Sequence, residues 1–395
     1  MPPELVGRTD IIDQALLGAG RSARGMTSQS MILTGLRGVG KTVLLHTIKY
    51  KVEQKDILTM FVEASEGKTM LGLLIPAVRR VLFSLDRIQG VKDGVKEGLS
   101  VLLSFIQGAK VKVSDIEFGV DISPKPGTAD SGNLEADLPD LFEAVGKAAK
   151  QKNKNIVLLF DELQYLPKAE LSALIVAMHR LQPLQLPLYL VGAGLPNLRG
   201  MAGDAKSYAE RLFMFKTVGP LSKHDTAVAL KEPVRKLGVR FEEGAVDMIF
   251  EKTQGYPYFI QEWGQQAWNM AHDPTVITRK DVADSTEKVI EKLDESFFRV
   301  RFDRLTDGEK NYLRAMAESE TLQPRTGEVA SLVGTDSGGT GPVRASLLKK
   351  GMIYSQSHGL VEFTVPLFGE FMKRTVPDIR QVSTKPRKNA RHNLG

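Results

Sequence analysis

The sequence of 395 residues predicts an α/β protein in which a parallel sheet is followed by a helical region. Short, wholly apolar runs at 156–160 and 188–191 are typical of strands that are buried on both faces of a parallel sheet. Stretches with helical spacing alternate with such runs, and this alternation is the pattern of an α/β layer. From residue 222 to 298 the helical spacing continues without further strands, so this second region is expected to be all-helical.

The composition is that of an ordinary folded protein, with 42% apolar and 25% charged residues. The chain has no cysteine, which excludes disulfides, thiolate metal sites and cysteine nucleophiles. The first residues lack a signal pattern and the apolar runs are too short to cross a bilayer. We therefore expect a cytoplasmic location and no membrane partner. The net charge is +6, and a basic, disordered tail is expected at 377–395.

The predicted elements follow in chain order. Four strands are predicted in the sheet region, at 31–34, 58–62, 156–160 and 188–191. Helices are predicted after residue 41, across 69–106, and at 138–150 and 171–181, while the alternation at 110–123 predicts a β-hairpin. Four more helices are predicted at 222–236, 242–253, 258–271 and 278–298. The last region predicts helices at 306–318, 325–332 and 342–350, then short strands at 352–355 and 360–365.

The strongest motif is a complete P-loop between the first predicted strand and the following helix, with the sequence Gly35-Leu36-Arg37-Gly38-Val39-Gly40-Lys41-Thr42. Its glycines let backbone N–H groups surround phosphate oxygens, and the helix directs its positive end at the same anion. Lys41 is expected to reach the β- and γ-phosphates, and the hydroxyl of Thr42 to bind Mg²⁺. The predicted nucleotide-binding residues here are Gly35, Arg37, Gly38, Val39, Gly40, Lys41, Thr42 and Val43.

A pair of acids ends the buried run at 156–160. Ligands bind at the carboxyl ends of strands in open α/β sheets, so this position suits catalysis. Asp161 is predicted to hold Mg²⁺, and Glu162 to polarise the attacking water. Alternatively, both acids could cap the helix that follows. The predicted cofactors are therefore ATP and Mg²⁺.

Together these motifs resemble the AAA+ and STAND P-loop ATPases, and among them the clade of archaeal and eukaryotic replication initiators. The segment Val6-Gly7-Arg8 resembles the stretch that covers adenine in those proteins, and the region after residue 222 resembles their helical lid and winged helix. The resemblance implies a three-layer AAA+ P-loop domain at 1–220 with an insertion at 69–137. It also implies a lid at 221–295, a winged-helix domain at 296–376 and the tail at 377–395.

The resemblance implies three further site residues. Arg211 lies after the last predicted strand, where such ATPases place an arginine that senses the γ-phosphate, often of a neighbouring subunit. Asn197 corresponds to a polar residue that touches the γ-phosphate or the attacking water. Pro257, in Gly255-Tyr256-Pro257, resembles the lid proline that lies against the base in STAND ATPases. The predicted catalytic set is Lys41, Glu162, Asn197 and Arg211.

The winged-helix resemblance implies a recognition helix in the third helical segment of this region. Its early residues would meet base edges and the hairpin would lie against the backbone. The candidate DNA contacts are Thr340, Arg344, Ser346, Lys349, Lys350 and His358.

The expected function is an ATPase with slow turnover, because no arginine occurs at 255–262, where initiators carry one that reaches the phosphates. It would act as a nucleotide-controlled switch that binds double-stranded DNA, with ATP or ADP as ligand and another copy or a second ATPase as a candidate partner. The alternative is a STAND-like signalling or defence ATPase whose winged helix is an autoinhibitory or protein-interaction module. A helper ATPase for transposition is also compatible.

Overall fold

The computed structural model describes residues 5–88, 93–109, 122–319, 321–355 and 359–380. They belong to two compact units. The first contains the chain up to Arg240 together with Phe250–Ile260, and the second contains Phe241–Ile249 together with the chain from Gln261 onward.

The first unit contains a parallel sheet of five strands. They are β1 (Ser30–Thr34), β2 (Leu58–Glu63), β3 (Ile156–Asp161), β4 (Leu188–Gly194) and β5 (Phe213–Thr217). Their order in the sheet is β2-β3-β4-β1-β5, and every neighbouring pair is parallel. The carboxyl ends of all five strands therefore lie at one edge, with β4 between the strand that leads into the P-loop and the strand that ends in the acid pair.

Helices cover both faces of the sheet. Successive residues of a strand point to opposite sides, so an apolar strand has an apolar surface on each face. In β3, Leu158 and Phe160 belong to one apolar core and Val157 and Leu159 to another. The first core is formed with α3 (Met70–Asp86), α4 (Asp93–Gly108), α5 (Leu134–Gln151) and α6 (Lys168–Leu184). The second is formed with α1 (Thr9–Ala23) and α2 (Lys41–Glu53). This three-layer arrangement confirms the predicted α/β fold with a parallel sheet.

The insertion predicted at 69–137 supplies α3 and α4, which extend the first core. Met70 begins α3, and its backbone N–H donates to Glu170 on α6 over 3.0 Å. The hairpin predicted at 110–123 lies almost wholly outside the described residues.

The sequence did not predict β5, and this changes the position of Arg211. Helices α7 (Leu198–Ala205) and α8 (Ala209–Leu212) precede β5, so Arg211 lies before the last strand and not after it. The strand is short and pairs along one side only, with β1. Its residues Phe213 to Thr217 are only partly buried after the first, so they lack the continuous apolar run of a central strand.

The region after residue 222 is mainly helical, as predicted, but it also contains two short strands. Its helices are α9 (Lys223–Arg235), α10 (Glu243–Thr253), α11 (Pro257–Asn269) and α12 (Arg279–Lys292), followed by a π-helical turn (Leu293–Phe298) and α13 (Arg299–Phe302). The strands β6 (Arg240–Phe241) and β7 (Val276–Ile277) pair with each other, so the expectation that strands vanish here was wrong. Two residues are too few to show an alternating pattern in the sequence.

The last region has three helices, a hairpin and one more helix. These are α14 (Asp307–Ala317), α15 (Thr326–Val333), α16 (Ser337–Lys349), the antiparallel strands β8 (Ile353–Tyr354) and β9 (Glu362–Phe363), and α17 (Phe368–Thr375). The sequence did not predict α17, whose Phe368 and Phe371 are fully buried. Within the described ranges, no helix is both long enough and apolar enough to cross a bilayer.

Candidate functional site

The P-loop connects β1 to α2 at the carboxyl edge of the sheet. Gly38 and Gly40 have φ angles of 82° and 91°, a left-handed conformation that residues with a Cβ rarely adopt. A Cβ on Gly35 would collide with the carbonyl oxygen of Val218. The glycines of the motif are therefore required by this loop conformation, which brings the first turn of α2 to the end of β1.

Lys41 is the first residue of α2, and its side chain lies inside the loop with only 6% of its surface exposed. Its ammonium donates hydrogen bonds to the carbonyl oxygens of Gly35 at 2.8 Å and Leu36 at 2.9 Å. Burial lowers the pKa of Lys41 to about 8, while the nearby carboxylates of Glu162 and Asp161 oppose that shift. The loop thus holds a positive charge close to the acid pair.

Asp161 and Thr42 meet directly. The hydroxyl of Thr42 donates to Oδ2 of Asp161 at 2.6 Å, and the backbone N–H of Glu162 donates to Oδ1 at 2.8 Å. Asp161 is 1% exposed, and this burial raises the pKa of its carboxyl group, whereas the hydrogen bond from Thr42 lowers it. Two residues that are 119 positions apart in the chain therefore share one polar site.

The chemistry of this pair fits Mg²⁺. A hydroxyl and a carboxylate are both oxygen donors, and Mg²⁺ binds through few protein oxygens while keeping waters and phosphate oxygens as its other ligands. Among the described residues, no group of three or more His, Cys, Asp or Glu is placed to hold a metal ion. A cation held by Thr42 and Asp161 would thus take its remaining ligands from water and nucleotide.

Glu162 follows directly and has an unusual backbone. Its φ of 55° is left-handed, which is costly for a residue with a Cβ and is characteristic of functional sites. Its carboxylate accepts a hydrogen bond from the side-chain amide of Gln164, and Oε1 lies 3.8 Å from a guanidinium nitrogen of Arg37. Arg37 in turn donates to the hydroxyl of Tyr165 at 2.6 Å. Gln164 and Tyr165 were not predicted from the sequence, although both lie within four residues of Asp161.

The predicted adenine segment contacts the start of α9. Gly7 has a φ of 67°, and a Cβ there would lie 2.8 Å from Oδ2 of Asp225. The guanidinium of Arg8 donates to the carbonyl oxygen of Gly219. Burial lowers the pKa of Arg8, and the charge of Asp225 opposes this shift. Val6, which precedes them, is partly buried.

The start of α11 lies against the P-loop. The backbone N–H of Leu221 donates to the carbonyl oxygen of Gly255 at 2.7 Å, and that of Tyr258 donates to Gly38 at 3.3 Å. Pro257 is the first residue of α11 and lies between these two contacts in the chain. The residue after Pro257 therefore contacts the P-loop, and the role of Pro257 against the base stays a prediction.

Asn197 and Arg211 lie on the segment that joins β4 to β5. Oδ1 of Asn197 is buried and accepts no hydrogen bond from the described residues, while its Nδ2 lies 3.5 Å from the sulfur of Met201. Arg211 is exposed, and its carbonyl oxygen accepts from Gln29 at 2.7 Å. Within the described part of the chain, no hydrogen bond or ion pair joins Arg211 to Lys41 or the acid pair.

The candidate DNA contacts are only partly exposed. Thr340 is 5% exposed, Arg344 is half-buried and Lys349 is exposed. Ser346 donates to Oε1 of Glu309 at 2.6 Å, and Lys350 donates to Oε2 at 2.7 Å. Glu309 is 2% exposed, and a buried carboxylate needs such partners. Ser346 and Lys350 are thus hydrogen-bonded to α14, and their contact with DNA stays a prediction. His358 lies outside the described residues.

Comparison with known families and structures gives two regional matches. A family model described as the AAA ATPase domain matches residues 4–191, and a model described as a domain of unknown function matches residues 295–372. No curated protein sequence matches the chain with significance.

Solved structures with a similar fold cover nearly the whole chain. A Walker-type ATPase of Pyrococcus abyssi has a TM-score of 0.56 at 15% identity, covering 93% of this chain and 96% of that one. Cdc6p of Pyrobaculum aerophilum has a TM-score of 0.47 at 16% identity, covering 94% and 96%. The Orc1 protein of Aeropyrum pernix, in complex with DNA, has a TM-score of 0.45 at 15% identity, covering 95% and 94%.

The similarity to the Pyrococcus abyssi structure, at 15% identity, is a similarity of fold. It agrees with the five-stranded parallel sheet and with the family match over residues 4–191. The chain therefore has the α/β fold of AAA+ ATPases, and its N-terminal half is similar to the AAA ATPase domain.

Proposed function

We propose that this protein binds ATP with Mg²⁺, hydrolyses it slowly, and uses the bound nucleotide as a switch. The observation that carries the proposal is the hydrogen bond between Thr42 and Asp161 beside the buried ammonium of Lys41. A P-loop that served only as a tight turn would have no need for a buried carboxylate against its threonine, because burying a charge is costly.

Each group has a role that follows from its chemistry. The backbone N–H groups of the P-loop and the ammonium of Lys41 bind the phosphates of ATP. Thr42 and Asp161 would hold Mg²⁺, which neutralises phosphate charge when it is bound. Glu162 orients the water whose oxygen bonds to the γ-phosphorus while the bond to the bridging oxygen breaks, so that ADP is released. Asn197 is proposed to contact the γ-phosphate, and Val6, Gly7, Arg8 and Pro257 to surround the base.

The proposal can be tested by thermal unfolding with and without ATP and Mg²⁺. Wild type is expected to unfold at a higher temperature with nucleotide, because a ligand that binds only the folded state stabilises it. Lys41→Ala should lose this shift. Glu162→Gln should keep the shift but release no phosphate, since the amide cannot accept the proton. A shift that survives in Lys41→Ala, or unchanged turnover in Glu162→Gln, would contradict the assignment.

Arg211 is proposed to act on the nucleotide of a second copy of the chain, because it is exposed and, in the described structure, forms no hydrogen bond or ion pair with the acid pair of its own chain. Turnover per chain should then rise with protein concentration. Arg211→Ala should remove that rise and leave the ATP-dependent thermal shift unchanged. Turnover that is independent of concentration would speak against this role.

The domains are proposed to be a nucleotide-binding domain at 1–220, a lid at 221–295, a winged helix at 296–376 and a basic tail. The separate family match over residues 295–372 supports an independent C-terminal domain. This C-terminal domain is proposed to bind double-stranded DNA, with Lys349 and Arg344 as the cationic contacts of α16.

The contacts of Glu309 favour a second function for this domain. They engage Ser346 and Lys350 within their own domain, which leaves fewer groups for base edges. The alternative is a STAND-like switch in which the C-terminal domain contacts protein and not DNA. The salt dependence of DNA binding separates the two.

A further inference from the structure

The side chain of Gln164 joins the ends of two neighbouring strands. It lies in the short 3₁₀ turn Leu163–Tyr165 that follows β3 and the acid pair. Its amide nitrogen donates to Oε2 of Glu162, and its carbonyl oxygen accepts from the backbone N–H of Leu195 at 3.1 Å. Leu195 directly follows β4. One side chain thus connects the proposed catalytic carboxylate to the adjacent strand.

The direction of both hydrogen bonds is determined by chemistry. A backbone N–H can only donate, so the atom of Gln164 that faces Leu195 must be its carbonyl oxygen. The NH₂ group must then face Glu162, where an ionised carboxylate can only accept. The two bonds therefore fix the amide in one orientation.

Gly194 makes room for this arrangement. A Cβ at that position would lie 2.7 Å from the side-chain oxygen of Gln164, so the amide would have to move from its observed place. Gln164 can reach Leu195 because the last residue of β4 is a glycine. Both ends of the bridge are therefore set by the backbone and by strand order.

We propose that Gln164 is a positioning residue that holds the carboxylate of Glu162 in its catalytic orientation. This inference rests on the proposed ATP hydrolysis. The bond from Gln164 occupies Oε2, and among the described residues the polar contact of Oε1 is a long one of 3.8 Å to Arg37, which exceeds hydrogen-bond distance. Oε1 is thus the oxygen that accepts the proton of the attacking water. Glu162 has a left-handed backbone and would otherwise be free to turn away from the phosphate.

The hydrogen bond to Leu195 also connects Glu162 to the segment that carries Asn197. Leu195 and Asn197 are two residues apart, and Leu198 begins α7. Gln164 thus connects the carboxylate that orients the water to the backbone two residues before Asn197.

Two substitutions separate positioning from structural support. Gln164→Met keeps the length of the side chain and removes both hydrogen bonds. Gln164→Glu keeps an acceptor for Leu195 but presents a carboxylate to Glu162, which repels it. The matched control is Gln54→Met, because Gln54 is exposed at the end of α2. Turnover, ATP dissociation constants and thermal unfolding are measured for each full-length variant.

We expect both Gln164 variants to lower kcat by about 10- to 100-fold, the scale of a misplaced catalytic group. Their ATP dissociation constants should stay within about twofold of wild type, because the side chain of Gln164 bonds to Glu162 and Leu195, neither of which is proposed to bind phosphate. The Gln54→Met control should match wild type in all three measurements.

Different failures have different meanings. If Gln164→Glu turns over at the wild-type rate while Gln164→Met is slow, Gln164 only supports Leu195 and the positioning role is overturned. If both variants match wild type, the role is likewise overturned while ATP hydrolysis stands. If wild type itself neither binds nor hydrolyses ATP, the proposed function falls and this inference falls with it.

Discussion

The buried carboxylate of Asp161 depends on the hydroxyl of Thr42. Thr42→Val keeps the shape of the side chain but removes the donor, so one oxygen of a 1% exposed carboxylate loses its hydrogen bond. We expect the free energy of unfolding to fall by about 1–3 kcal/mol, the cost of a buried acceptor left without a partner. Urea denaturation of the two proteins measures this difference. Thr42→Ser retains the hydroxyl and should remain close to wild type; equal losses in both variants would exclude the hydrogen bond as the cause.

Among single residues, those that belong to a recognisable sequence motif were predicted. Lys41, Thr42, Asp161 and Glu162 were predicted, and the structure brings them together. Gln164 was not, because glutamine has no catalytic pattern of its own. Its role depends on β4 lying beside β3, and strand order is a property of the folded sheet.

The start of α11 is fixed by a glycine that cannot be replaced without strain. Gly255 has a φ of 74°, and a Cβ there would collide with the carbonyl oxygen of Leu221. Gly255→Ala should therefore lower the free energy of unfolding by about 1–3 kcal/mol. It should also weaken ATP binding, because the same turn leads to the contact between Tyr258 and Gly38. Chemical denaturation and the ATP-dependent thermal shift provide the two measurements.

A matched control for Gly255 is available in α7. Gly203 lies in the helix with open space around its Cα, so Gly203→Ala should be neutral or stabilise by up to about 1 kcal/mol. If Gly255→Ala behaves like Gly203→Ala, the turn before α11 is not under the constraint that the structure indicates.

In the C-terminal region, Glu309 joins α14 to α16. Hydrogen bonds from Lys350 and Ser346 lower the pKa of its carboxyl group, although burial acts in the opposite direction as the largest single cause. A carboxyl group whose pKa is depressed by folding stabilises the protein above its ordinary pKa, and that contribution is lost as the pH falls through the lower value. Glu309→Gln should cost about 1–3 kcal/mol at neutral pH. The difference from wild type should shrink on acidification.

This pH dependence is measured by urea denaturation at several pH values. Ser346→Ala removes one neutral donor and keeps the ion pair with Lys350, so it should cost less than Glu309→Gln at neutral pH. A difference between Glu309→Gln and wild type that stays constant down to acid pH would show that the charge of Glu309 makes no contribution.

The elements that were not predicted from the sequence are all short or only partly buried. β6 and β7 are two residues long, and β5 pairs along one side only, so none of them has the long apolar run that identified β3 and β4. The helix α17 follows the hairpin directly, and its eight residues span little more than two turns. Periodicity identifies an element only when it is long and regularly buried, which was true of the central sheet and its covering helices.

On the scale of the whole molecule, the order of the regions could be predicted from the sequence. The partner that the polar side chains of the last region contact could not. Ser346 and Lys350 were predicted as DNA contacts from the resemblance to a winged helix. The structure turns these two side chains toward Glu309, which is distant in sequence. Spacing shows which residues share a face, whereas the partner of that face depends on how helices pack.

The C-terminal segment limits where a test of DNA binding can truncate the chain. Buried Asn311 bonds to both backbone groups of Arg380, and buried Arg314 donates to the carbonyl oxygens of Val376 and Pro377. A chain that ends at Thr375 would lose these contacts and leave polar groups of α14 unpaired. A chain that ends at Arg380 keeps them and removes residues 381–395, whose lysines and arginines are Lys385, Arg387, Lys388 and Arg391.

Binding of a short labelled duplex over a salt series then separates the two functions of the C-terminal domain. Each lysine or arginine that neutralises a phosphate adds about 0.9 to the slope of log Kd against log salt, so four tail residues can account for about 3.6. If α16 contacts DNA, the chain ending at Arg380 should still bind DNA in a salt-dependent way. Its affinity for DNA should fall further in Lys349→Ala and should change when ATP is added. If binding disappears with the tail and is unaffected by Lys349→Ala, the domain does not contact DNA through α16. The engagement of Ser346 and Lys350 by Glu309 would then favour a domain that contacts protein.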